Sequence, residues 1–307
     1  MNKSIFITSP TGTLGLALIP RLLSLNYTIY STTTHDLTSP PAQHLSSLGV
    51  NLTQATWDSS SDIFLPILSK CTAIFLNTII TFSSPESEKQ QFSRLITLAR
   101  QAGITQVIYN SAASFSSISQ HFPGDFESDV HPIVYTSVQN KQFNETTLRN
   151  AGFDSYTILR GANFMQNFLE PKADMYPGLK DSGVWKMPIS NTTKLPLVDA
   201  EDIAKFAVEA FQDPDRFHGK DINIVGDELR PEEIMRSLSK RSGRELRYQE
   251  IEREGAKNDP FVSGGLVVGC MGEFMSREET EEFGVELTSF EKFLKLEEDA
   301  VKKTYVK

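Results

Sequence analysis

Residues able to grip a diphosphate stand at the front of the chain. In Ile5-Phe-Ile-Thr-Ser-Pro-Thr-Gly-Thr-Leu-Gly, a turn of small residues separates an apolar run from an amphipathic segment. Gly12 lets backbone approach a phosphate, and Gly15 lets a helix sit close to a sheet. A helix opening after Thr11 offers free N–H groups and the positive end of its dipole. The cofactor-binding candidates here are Ser9, Thr11, Gly12, Thr13, Leu14 and Gly15. Ser9 stands where such turns carry their first glycine, so a Cβ must fit where the turn is tight. The same turn could keep its shape without a ligand. A second group closes the next apolar run, Tyr30-Ser-Thr-Thr-Thr-His. A carboxylate there would hold the ribose 2′-hydroxyl of NAD, and an Arg the 2′-phosphate of NADP. Thr32 and Thr33 are neither: they repel no phosphate and can donate hydrogen bonds to one, which favours NADP(H) over NAD(H).

Other chemistries find no footing. The five histidines (35, 44, 121, 131, 218) show no metal-ligand spacing, so no metal site is expected. No G-x-S-x-G elbow marks a hydrolase. Two cysteines, Cys71 and Cys270, are too few for a disulfide framework, and Cys71 opens an apolar run that reads as a buried thiol. Asp58 and Asp62 are placed as N-caps of a helix, and Asp199 and Asp202 as residues of a helix start.

The elements that must position these residues alternate short apolar runs with longer amphipathic segments, the pattern of βαβ units and a parallel sheet. Strands are expected at Ser4–Thr8, Thr28–Thr32, Asn51–Gln54, Ala73–Asn77, Gln106–Asn110 and Ser155–Leu159. Helices are expected at Leu14–Leu25, Ala42–Leu48, Ile63–Leu68, Glu88–Ala102 and Tyr135–Asn150. Residues 161–198 read as loop-rich, followed by a helix to Phe211, a strand Ile222–Val225, a helix Pro231–Ser242 and a strand Arg247–Ile251. A tail helix Thr288–Lys302 would be opened by the capping box Thr288-Ser-Phe-Glu. The glycine-broken stretch Gly264–Gly272, flanked by Phe261 and Phe274, reads equally as pocket lining or core. The fold class is therefore α/β: a Rossmann-type doubly wound parallel sheet over 1–160, with a smaller C-terminal α/β substrate-binding region over 161–307 interleaved with it.

Composition sets the outer bounds. The chain has 307 residues, 39% hydrophobic and 22% charged, enough for a full core. A net charge of −9 gives no surface for direct nucleic-acid binding. The opening apolar stretch is too short for a signal peptide or membrane span, so a cytoplasmic protein is expected.

Several ordered motifs resemble the NmrA-like family of atypical short-chain dehydrogenases over almost the whole length. Thr8-Ser-Pro-Thr-Gly-Thr-Leu-Gly is similar to that family's Gly-Ala-Thr-Gly-x-x-Gly turn. Ala102-Gly-Ile-Thr-Gln-Val-Ile-Tyr-Asn-Ser-Ala resembles its "AG(V)xxVVYSSA" strand. Glu145-Thr-Thr-Leu-Arg-Asn-Ala-Gly-Phe-Asp-Ser-Tyr-Thr-Ile-Leu-Arg-Gly-Ala-Asn-Phe-Met-Gln-Asn-Phe resembles "ExxLRxSGLxYTILRPxxFMxN", and Val198-Asp-Ala-Glu-Asp-Ile-Ala matches "VDxxDIA". Departures are Gly161 after Arg160, where the family has Pro, and Thr32, where many members carry a phosphate-binding Arg.

The resemblance implies a nicotinamide dinucleotide and a Tyr-x-x-x-Lys logic, in which Lys lowers the Tyr pKa and Tyr moves a proton. Lys141 is the retained member, and Ser137 stands where the Tyr would be. Tyr135 lies six residues before Lys141, about 120° off its helix face at roughly 100° per residue. It would serve only if the helix began later. The catalytic candidates are Lys141, Ser111 and Tyr135, with Lys141, Asn77 and Asn163 added to the cofactor-binding set. Plainer readings are an exposed helical Lys141, a strand-capping Ser111 and a core Phe164. The family holds reductases and cofactor-binding regulators alike. Whether the chain is an enzyme is thus left open, with the balance on an NAD(P)H-dependent reductase of a small apolar metabolite, of the kind found in secondary metabolism. The alternatives are a non-catalytic sensor that binds a partner protein, and a non-redox enzyme on the same scaffold. For all of them the ligand is a small molecule, and no membrane is involved.

Overall fold

The computed structural model describes residues 3–78 and 81–306. Six strands follow the expected order: β1 (Ser4–Ile7), β2 (Thr28–Thr33), β3 (Asn51–Gln54), β4 (Ala73–Asn77), β5 (Gln106–Ser111) and β6 (Ser155–Gly161). With the strand Lys220–Ile224 they form one sheet, ordered Lys220–Ile224, β6, β5, β4, β1, β2, β3. The pairings β1·β2, β1·β4, β2·β3, β4·β5 and β5·β6 are all parallel. The chain thus winds outward from β1 in one direction and from β4 in the other. In such sheets ligands bind beyond the strand C-termini at that reversal. All four residues of β1 are buried, as a strand covered on both faces requires. Intervening helices are α1 (Thr13–Ser24), α2 (Pro40–Ser47), α3 (Ser61–Leu68) and α4 (Ser87–Gln101), and a longer helix, Pro132–Arg149, precedes β6.

The chain divides into two compact units, which do not part at residue 160 alone. The first takes residues 1–112, 140–160 and 203–222, and the second 113–139, 161–202 and 223–307. The first unit gains 203–222 because its sheet is completed by Lys220–Ile224, a strand that begins two residues earlier than its apolar pattern suggests. Its core joins Phe6, Ile74, Phe92, Val107 and Ile158 of the strands and helices.

In the second unit, residues expected to be loop are drawn into short elements. Strands Asn163–Phe164, Leu195–Val198 and Asp227–Leu229 form one small sheet, and Val184–Met187 pairs with Arg247–Glu250 in another. Apolar side chains spaced through this segment, Phe168, Trp185 and Leu197 among them, bury together, and packing overrides the Pro and Gly that suggested loop. The ring centroids of Phe168 and Trp185 lie 5.2 Å apart, edge to face. The glycine-broken stretch is helical, Pro260–Met271, capped by Asp259.

Three capping expectations are corrected. Ser60, not Asp62, caps α3, accepting a bond from the Asp62 amide at 3.2 Å; Asp62 falls within the first turn. Asp58 instead accepts a long bond from Gln91. The tail is two helices, Phe290–Leu296 and Glu298–Tyr305, with Ser289 as the cap of the first. Thr288 is unavailable for capping because its amide and hydroxyl are both committed to the buried Asp202, at 2.8 and 2.9 Å. Asp199 does serve at a helix start, accepting from the Glu201 amide. Both cysteines are free and buried, and burial pushes their thiols up, Cys71 to about 12 and Cys270 to about 11. Among the described residues no helix is long and apolar enough to cross a membrane.

Candidate functional site

The C-terminal ends of β1 and β4 meet at the sheet's reversal point, and side-chain hydrogen bonds lock them together. Thr8 donates its hydroxyl to the Asn77 carbonyl at 3.1 Å and accepts from the Asn77 amide at 2.7 Å. Ser9 donates to the same carbonyl at 3.1 Å. Asn77 thus anchors the turn through its backbone, while its side-chain oxygen accepts from Asn110 at 3.1 Å.

Ser9 adopts φ +52°, the left-handed region where glycine is normal, which explains why a first glycine is usual there. The Gly12 amide closes the turn onto the Ser9 carbonyl at 3.1 Å, and α1 begins at Thr13. No side chain caps this helix, so its first-turn amides face outward with the positive dipole end. Gly15 has no room for a side chain: a Cβ would stand 2.5 Å from the Pro10 carbonyl oxygen.

A cavity of about 210 Å³ opens beside this turn, within the first unit. Ser9, Thr11, Gly12, Thr32 and Thr33 of the expected residues line it, together with Thr34. Its apolar wall is Ala55, Trp57, Phe64 and Leu95, which come from three separate segments and carried no linear signal. Arg94 fixes that wall. Its guanidinium donates to the Trp57 carbonyl at 2.5 Å and to the Ser59 carbonyl, and lies over the Phe64 ring. None of the lining residues carries a formal charge. The arrangement combines backbone amides for an anion, threonine hydroxyls for a sugar and a flat apolar wall for an aromatic base.

The other candidates sit in networks of their own. Lys141 donates all three ammonium hydrogens: to Glu88 Oε1 at 2.8 Å, and to the Thr78 carbonyl and hydroxyl at 2.8 and 3.0 Å. Glu88 is 1% exposed and also accepts from Thr78, Asn144 and Asn140. Burial alone would lower the Lys141 pKa, but the neighbouring Tyr109 and Glu88 hold it above the usual lysine value. Ser111 donates to Glu145 Oε1 at 2.7 Å, and Glu145 is clamped by both ends of the Arg160 guanidinium at 2.9 and 2.6 Å. The first and last charged residues of the "ExxLR…LR" stretch are therefore ion-pair partners. Tyr135 lies inside a helix that starts at Pro132, earlier rather than later than expected. Its hydroxyl donates to Glu127 at 3.2 Å and its ring packs on Phe115 and Phe126. Asn163, in the second unit, is held by Tyr176 and Asn167. Lys141, Ser111, Tyr135 and Asn163 are absent from the cavity lining, and Thr13, Leu14 and Gly15 continue from it into α1.

A model of the NmrA-like family matches residues 1–304. An NmrA-like family domain-containing oxidoreductase, malD of Malbranchea aurantiaca, is 24% identical over 267 residues, covering 82% of this chain and 76% of its own length. Among solved structures, Nmra, a negative transcriptional regulator in complex with NAD, superposes with a TM-score of 0.75 at 21% identity, covering 97% of each chain. The NADPH-dependent quinone oxidoreductase QOR2 of Escherichia coli, complexed with NADPH, gives 0.73 at 18% identity, covering 95% of this chain and 99% of that one.

Proposed function

The chain belongs to the NmrA-like family, and from that premise we propose that it is a cytoplasmic NAD(P)H-dependent reductase of a small, apolar metabolite of the kind met in secondary metabolism. The observation that carries the reading is the fit of the cavity at the sheet's reversal point to a nucleoside diphosphate. Gly12 leaves room for a phosphate, the Thr13 and Leu14 amides meet its charge, and the Trp57 and Phe64 wall suits adenine. Thr32 and Thr33, with no carboxylate among the lining residues, favour the 2′-phosphorylated coenzyme. When bound, the nicotinamide would supply a hydride to a C=O, C=N or activated C=C bond. Ser111 and Lys141 are the groups assigned to the proton. Each now holds its hydrogen against a buried carboxylate, so either would act by exchanging that partner for substrate or water.

Trp57 makes the reading testable by quenching of protein fluorescence. NADPH should quench saturably and bind more tightly than NADH. Trp57→Leu, which removes that reporter and is followed by titration calorimetry instead, should weaken binding about tenfold, since a base stacked on an aromatic ring is worth about 1–3 kcal/mol. Failure of both coenzymes to bind the wild type would end the proposal. A second reading, a dinucleotide-binding sensor acting on a partner protein, is favoured by Ser137 at the tyrosine position and by the saturated Lys141 ammonium. Tight NADPH binding without turnover on neutral ketones and enones would select it.

A further inference from the structure

The second unit encloses a cavity of about 460 Å³ of its own, within the range of small-molecule sites. Its floor is apolar and shielded: Pro188, Ile189, Leu266 and Cys270 are all buried. Its charged members, Glu250, Arg253 and Glu273, are exposed, which puts polarity at the rim, with one more acid than base. Gly269 also lines it, in the middle of the helix Pro260–Met271.

Glycine inside a helix is unfavourable by about 1 kcal/mol relative to alanine, so each one invites a reason. Gly265 has one in packing, because its Cβ would come 2.5 Å from the Met187 methyl. Gly272, just after the helix, is pressed against the Lys194 carbonyl. Gly264 and Gly269 have no such reason, since a Cβ at Gly264 would meet open space and one at Gly269 would meet Ile189 at 3.6 Å, an ordinary contact. Of the two, only Gly269 lines the cavity. A larger side chain there would take its room from the cavity.

We infer that this cavity is the site of an uncharged, predominantly apolar substrate, and that Gly269 sets the size it admits. The inference rests on the reductase reading and narrows it to neutral compounds whose polar atoms stay at the rim. A fixed charge on the buried part would be stripped of water against Leu266, Ile189 and Cys270 with no buried counter-ion among the lining residues.

The probe is 6-propionyl-2-dimethylaminonaphthalene, a neutral naphthyl ketone whose emission shifts to the blue in apolar surroundings. It should bind the wild-type protein saturably, while 1-anilinonaphthalene-8-sulfonate, of similar size but anionic, binds at least about tenfold more weakly. Gly269→Leu should weaken the ketone about tenfold or more, with circular dichroism unchanged. Gly269→Ala, whose methyl group the structure accommodates, should weaken it about threefold and decides the matter if the leucine variant does not fold. Absence of saturable ketone binding, or wild-type affinity in both variants, overturns the inference. NADPH binding followed in the same samples separates the two proposals: its loss with ketone binding intact sinks the coenzyme reading and leaves this cavity standing.

Discussion

At Gly15 a single methyl group decides whether the first turn can exist. Its Cβ would overlap the Pro10 carbonyl oxygen, a backbone atom that cannot swing aside. Gly15→Ala should therefore destabilise the protein by about 1–3 kcal/mol, the usual range for overpacking, read as a lower urea midpoint. It should also weaken NADPH binding, because α1 must retreat from the turn. Ser9 makes the contrast. Its φ of +52° costs a non-glycine residue about 1–2 kcal/mol. Glycine there would relieve that strain but lose the bond to Asn77 and add freedom to the unfolded chain. Ser9→Gly should accordingly shift the midpoint by less than about 1 kcal/mol. A large loss of stability would show that the Ser9 hydroxyl matters more than the strain.

Among elements, the long helix Pro132–Arg149 is fastened to the sheet by Glu145, through Arg160 of β6. Burial alone would raise the Glu145 pKa, but Arg160, Ser111 and Arg149 together hold it below the ordinary 4.5. A carboxyl depressed in the folded state contributes stability in full above its unfolded pKa, near 4.5. That contribution is lost as pH falls through the folded value. Glu145→Gln should flatten the fall of the urea midpoint as the pH drops below about 5. At neutral pH it should cost roughly 2 kcal/mol, less than the about 3–5 typical of an orphaned buried charge, because Asp221 still faces Arg160. An unchanged acid profile would show that other carboxylates govern it. The same elements show what the sequence makes legible. β4 lies where its apolar run places it, because a strand buried in a parallel sheet is written in consecutive residues. The short strands between 161 and 198 are not so written: each holds two to four residues and exists through distant aromatic packing. The glycine turn was readable for the same reason as β4, being contiguous. Trp57, Phe64 and Leu95 were not, since only the fold brings three segments to one wall.

For the whole molecule, the net charge of −9 opposes the approach of a polyanionic coenzyme, and no lining residue supplies a cation to offset it. Salt should therefore speed association. Between roughly 10 and 100 mM the Debye length contracts from about 30 to about 10 Å, and the stopped-flow on-rate for NADPH should rise severalfold. A falling rate would mean that a local basic surface steers the encounter.

That uncharged lining has one more consequence. Amides, hydroxyls and ring faces neither gain nor lose protons near neutrality, so the cradle itself is indifferent to acidification of its surroundings. On the proposed reading, mild acid would leave the coenzyme held as before on the protein's side, and any slowing of turnover would be traced to the later handling of the proton.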